Sequence, residues 1–175
     1  MMKKLLLGAI LGGLTAFLWS SVSWELIGWH EKAMFSFPNE DAVAAAISSP
    51  PLQSGVYLLP SDVDKMQKGP IMFAAVRSVG FGSFPRALSI QLLSLMLAAF
   101  LLTWLLLQTT GLSYARRVSF LAVAGLAASV IVDLPNWNWW GFSGAYTAVN
   151  LADFTLTWLL AGLVIAKVAK PQPRS

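Results

Sequence analysis

Long unbroken apolar runs alternate with short polar stretches, except for one much longer connecting stretch in the first half of the chain. The apolar runs cover residues 5–22, 87–107, 118–134 and 148–166; the third carries Asp133 near its end, and the fourth carries Asn150 and Asp153 near its start. An α-helix needs about 20 residues to cross roughly 30 Å of hydrocarbon, with a working range of about 17 to 25. Each run fits that range. In lipid, a helix is also the only open-ended backbone that satisfies its own N–H and C=O groups. The pattern predicts an all-α membrane fold: a four-transmembrane-helix bundle with a small exterior α+β loop domain. The expected division is 1–22 for the first span, 23–86 for the exterior cap, 87–168 for three further spans and 169–175 for a cytoplasmic tail.

The connecting stretch has a pattern of its own. Asn39 ahead of Glu40 and Asp41 reads as a helix start, with a side-chain cap and two acids at the positive end of the dipole. Ala42 to Ile47 continues that helix, and Ser48-Ser49-Pro50-Pro51 stops it. Residues 55–60 read as a short strand between breakers, 61–69 as a polar turn, and 71–76 as a second strand able to pair with the first. Gly80, Phe81 and Gly82 form a lead-in to the second span. A cap of about 60 residues buries only a marginal core, so it needs the helices or a partner for support.

Composition sharpens this picture. Apolar residues make up 57% of the chain and charged residues 11%, with a mean hydropathy of +0.66, against about 25% charged in soluble domains. There is no cysteine and only one histidine, His30. Disulfides, thiolate sites and two-imidazole metal sites within one chain are thereby excluded, and no cofactor is expected. The net charge of +4 reflects topology and does not mark a nucleic-acid footprint. Lys3, Lys4, Arg116, Arg117, Lys167, Lys170 and Arg174 fall on one side of the spans, while residues 135–147 on the other side carry no basic group. By the positive-inside rule both termini are cytoplasmic. The expected location is the bacterial inner membrane, multi-pass, with 23–86 periplasmic. Trp19, Trp24, Trp29, Trp137, Trp139 and Trp140 then gather at the outer interface, where aromatic rings settle.

The first run has two open readings. Met1–Lys4 followed by an apolar core and Ser21-Val22-Ser23 has the form of a cleavable signal peptide. Its length, together with a GxxxG at Gly8 and Gly12 that admits a close helix neighbour, favours a retained anchor.

Candidate chemistry is sparse. An acid at the centre of a span costs about 2.5–3.5 kcal/mol and marks a functional hypothesis. Asp133 and Asp153, with Asn150 and with Arg86 at the edge of the second span, form the candidate polar or ion site. Two plainer roles compete: Asp133 closing its helix before Pro135, and Asp153 pairing with Arg86 or with backbone. Trp137, Trp139, Trp140 and Phe142 form a candidate outer-face aromatic groove for lipid, quinone or a partner helix, though an interfacial belt accounts for them equally well. His30 is a candidate ligand or pH-sensing residue, and a lone histidine in a polar loop is usually neither. Gln91, Thr103, Trp104, Thr155, Thr157 and Trp158 are candidates for bonds between helices. No P-loop, HExxH, GxSxG or CxxCH signature occurs.

Trp29-His30, Phe37 with Glu40, Gly55-x-Tyr57-x-x-Pro60, and Pro135-x-Trp137-x-Trp139-x-Gly141-Phe142 with Asp153 and Trp158-x-x-Ala161-Gly162 form a combination covering most of the chain. It resembles small bacterial inner-membrane proteins of unknown function. The resemblance implies a multi-span bundle with one exported loop and transfers no catalytic residue. The leading expectation is a non-enzymatic accessory or assembly protein whose partners are the lipid bilayer and another membrane protein, with no nucleic acid. The alternatives are a small transporter or proton-coupled protein using Asp133 and Asp153, and a lipid- or quinone-handling enzyme.

Overall fold

The computed structural model describes residues 1–49, 52–80 and 82–170. Pro50 and Pro51 of the expected helix stop, Phe81 of the lead-in, and the tail from residue 171, with Arg174, lie outside the described residues. The fold is mostly helical, with one two-stranded sheet. The elements in chain order are α1 (Met2–Val22), a π-helical turn (Ser23–Ile27), α2 (Trp29–Lys32), α3 (Glu40–Ser48), β1 (Gly55–Leu59), α4 (Val63–Met66), β2 (Met72–Val76), α5 (Phe84–Leu107), α6 (Tyr114–Trp140) and α7 (Gly144–Val168). Four helices are long and apolar enough to cross a membrane: Met2–Ile27, Phe84–Leu107, Tyr114–Trp140 and Gly144–Val168.

Each of the last three long helices starts on a serine whose hydroxyl accepts from a first-turn N–H. Ser83 takes Arg86 N–H, Ser113 takes Arg116 N–H and Ser143 takes Tyr146 N–H, which satisfies donors that the helix itself leaves open. The third long helix corrects the expectation that it stops at Asp133. It runs through Pro135 to Trp140, and the turn to α7 shrinks to Gly141–Ser143. Proline removes one intrahelical bond, and the helix resumes beyond it. It ends where Gly141 adopts φ 76°, with the Gly141 and Phe142 N–H groups both returning to the Asn136 carbonyl.

The long helices lie side by side in the order α5, α1, α7, α6, with little direct contact between α5 and α6. Close approach depends on residues without bulk. A Cβ on Gly12 would stand 2.6 Å from the Ile165 side chain, and one on Gly13 would stand 2.7 Å from Met96 Cα. Gly8 meets Thr103 in the same way, and Gly125 of α6 meets Trp158 of α7. The core between these seams is Ala16, Ala99, Leu106, Leu121, Trp158, Ala161 and Ile165. At one end of the bundle Lys4 Nζ donates to the Lys170 carbonyl at 2.6 Å, so the start of α1 and the end of α7 are neighbours.

The connecting segment follows its sequence pattern closely. Asn39 caps α3 by accepting from Ala42 N–H at 3.0 Å. β1 and β2 pair antiparallel from Gly55↔Val76 to Leu59↔Met72. The polar stretch between them folds one helical turn, α4, capped by Asp62. Phe73 of β2 stacks on Trp140 at 4.7 Å between ring centroids, tying the hairpin to the end of α6.

Candidate functional site

At the end of the bundle away from Lys4, three elements bring polar side chains into the interior. α1 passes into the π-helical turn, and this wider turn carries Ser23 inward, fully buried. Gly28, at φ 66° with open space around it, supplies a left-handed kink that only glycine adopts without strain. The single turn of α2 then directs His30 back toward α7, leaving it 2% exposed.

His30 Nε2 lies 3.3 Å from Asp153 Oδ2 and 3.2 Å from Ser23 Oγ. Trp19 Nε1–H donates to Asp153 Oδ1 at 2.7 Å, and Trp29 Nε1–H donates to Ser23 Oγ at 2.8 Å. The Trp24 ring stacks flat on the imidazole at 4.0 Å, and Trp29 meets it edge-on. His30 Nδ1 is buried and has no hydrogen-bond partner among the described residues. An ionised carboxylate only accepts, so the indole N–H and the imidazole Nε2–H fit Asp153 as donors. A carboxylate at 7% exposure is tolerable only when paired in this way.

Although Ser23, His30 and Asp153 are the residue types of a hydrolytic triad, their arrangement is not that of one. A triad uses opposite ring nitrogens for the serine and the aspartate, whereas here both approach Nε2, and the serine is fully buried.

The second acid, Asp133, has separate partners. Asn150 Nδ2 donates to its Oδ1 at 3.0 Å, and Ser129 Oγ donates to its Oδ2. Asn150 and Asp153 are three residues apart on α7, one turn, so a single helix face serves both carboxylates. The expected direct grouping of the two acids is replaced by two neighbouring clusters. Arg86 belongs to neither. It is exposed in the first turn of α5, pairs with no acid among the described residues and lines a different cleft. Thr155 and Thr157 bond back to the carbonyls of Leu151 and Asp153 within α7, and Thr103 Oγ1 has no partner among the described residues. The expected interhelical glue is therefore mainly close packing.

The aromatic candidates do not enclose a groove. Trp137 and Trp139 are half or more exposed, Trp140 turns to Phe73, and Phe142 meets Tyr146. At about 100° per residue the three indoles ring the helix end, which is the arrangement of a belt. Among the described residues no group of three His, Asp or Glu side chains gathers around a common point suited to a metal ion.

Sequence reasoning placed Asp153 as the informative residue and treated His30 separately. Trp19, Ser23 and Trp24 complete the site, whereas the sequence pattern marks the two tryptophans as interfacial and Ser23 as part of a cleavage site. Comparison with protein-family models, with curated proteins and with solved structures gives no match to this chain.

Proposed function

We propose that the chain is a multi-pass protein of the bacterial inner membrane, with both termini cytoplasmic, acting without catalysis of its own as an accessory or assembly partner of another membrane protein. The observation that carries this reading is a contrast in what is left unpaired. At the His30–Asp153 end the two carboxylates are paired with their donors, and of that cluster His30 Nδ1 alone lacks a partner among the described residues. The segment between α1 and α5 instead turns large apolar side chains outward: Phe35 is 90% exposed, and Phe37, Val56, Val63 and Val79 are all more than half exposed. Apolar surface of this kind marks a contact with a partner or with membrane. The glycine seam that packs α1 against α5 and α7 supports a retained first span. The basic groups at the Lys4–Lys170 end support a cytoplasmic location for that end.

Photo-crosslinkers at Phe35 and Val63 in the full chain, followed by mild-detergent purification and mass spectrometry, test the proposal. A recurrent membrane-protein adduct at both positions is the expected result. A chain that stays alone and monomeric would overturn the accessory reading. A carboxyl-terminal tag that is reachable from outside intact cells would overturn the orientation.

One observation favours a second reading, proton coupling: a histidine–aspartate pair buried at the end of a span, next to a second buried acid. Intramembrane acids of this kind occur in proton relays. In proteoliposomes carrying a pH-sensitive dye, a coupled protein shows flux that Asp153→Asn and Asp133→Asn abolish. An accessory protein shows none, and its crosslinked complex survives both changes.

A further inference from the structure

Where α5 emerges from the connecting segment, a cleft of about 560 Å³ is lined by Ser54, Arg77, Ser83, Arg86, Ile90 and Gln91, among others. Among the described residues its lining holds two guanidinium groups and no carboxylate. α5 has no acid in its first turn, so Arg86 places a positive charge at the positive end of the helix dipole, where a cation is disfavoured and an anion favoured. The first-turn N–H of Arg86 is already taken by Ser83, so any anion here is held by side chains. Arg86 is also the only charged residue of α5, and Phe84, Leu88, Ile90 and Leu93 on the adjoining surface are exposed. Gln91 is shared with a second cleft of about 630 Å³ that reaches across to α1 and is of mixed character, lined by Phe17, Phe84 and Leu88 but also by Ser20, Ser21 and Glu25. The cationic mouth thus stands above the exposed apolar face of α5 at Ile90, Leu93 and Leu97.

We infer that this cleft binds the phosphate of an anionic phospholipid, with Arg77 and Arg86 on the headgroup and one acyl chain laid along α5 below Gln91. Guanidinium is suited to the task because its planar fork meets phosphate oxygens in pairs. Free phosphate engages only the upper half of the cleft. The inference rests on the proposal that α5 spans a membrane.

The test uses the full chain in detergent, titrated with phosphatidylglycerol, with phosphatidylcholine and with inorganic phosphate, and read by native mass spectrometry. Phosphatidylglycerol should be retained in preference to phosphatidylcholine. Arg77→Gln with Arg86→Gln should lower its retention about tenfold, as expected for the loss of charge-assisted hydrogen bonds, and the Lys pair at the same positions should restore part of it. Lys65→Gln with Lys68→Gln, at the opposite end of the hairpin, should leave retention unchanged. Equal retention of the two lipids overturns the site, as does equal loss in both Gln pairs or displacement of lipid by inorganic phosphate at equal concentration. Circular dichroism of the Arg→Gln pair should be that of the unchanged chain, and a loss of helix there would count against a headgroup role. Recovery of the chain in the aqueous fraction without detergent would instead sink the spanning reading.

Discussion

The two ends of the bundle are held together by different physics. Toward the Lys4–Lys170 end, α1 meets α5 and α7 through Gly8, Gly12, Gly13 and Ala99, and adhesion is dispersion between surfaces that fit. Toward the other end α1, α7 and α6 are joined by hydrogen bonds from Trp19 and His30 to Asp153 and from Asn150 to Asp133. Small-residue packing permits close approach but says little about register, because one apolar surface slides on another at low cost. Directional bonds have one geometry. The polar end therefore sets the relative rotation and depth of α1, α6 and α7, and the glycine end sets their distance.

The largest effect expected is at the polar end. Asp153→Ala leaves the buried His30 imidazole with Ser23 alone and the part-buried Trp19 indole N–H without its acceptor, and breaking a buried pair from one side costs about 3–5 kcal/mol. Unfolding in detergent followed by tryptophan fluorescence measures it. Asp153→Asn keeps one acceptor oxygen, for one of the two donors, and should recover part of the loss. If Ala and Asn behave alike, the bonds do not organise this end.

Next is Gly13→Val at the packed end. Its added carbons face Met96 backbone, which cannot rotate away, and overpacking of this kind costs about 1–3 kcal/mol. A cysteine crosslink between α1 and α5 should form more slowly in this variant, while one between α6 and α7 keeps its rate.

Trp19→Phe removes one bond to the carboxylate but leaves its ring. Hydrogen bonds in membrane proteins average about 0.6 kcal/mol and reach about 1.7, so a loss of about 1 kcal/mol is expected in the same unfolding assay. Trp139→Ala, at a position 70% exposed, should change stability by no more than about 0.5 kcal/mol. A larger loss there would mean that the aromatic ring around α6 takes part in folding.

Much of this architecture is legible from local pattern. The four long helices follow from apolar run length, and α3 from Asn39-Glu40-Asp41. The hairpin follows from two short apolar stretches separated by a polar one. The GxxxG at Gly8 and Gly12 pointed to a close neighbour, and α5 and α7 supply it. The pattern misled at Pro135, because a proline costs a helix one backbone bond and kinks it without having to end it.

The candidate site was legible only in pieces. Asp153 stood out as an acid in an apolar run, but its partner is 123 residues away in sequence. The link depends on a π-helical turn and a left-handed glycine, and no hydrophobic period announces either. Arg86, assigned to Asp153 by charge alone, faces elsewhere because it sits in the first turn of a different helix, on the far side of α1.

What the sequence by itself determined is which segments are helical, how long they are and which residues are too polar to leave unpaired, since these depend on neighbours within a few turns. Which imidazole meets which carboxylate was decided only when α1, the kink at Gly28 and α7 came together. A buried charge accepts whichever donors the packed helices bring within about 3 Å, and that choice is made between elements, not along the chain.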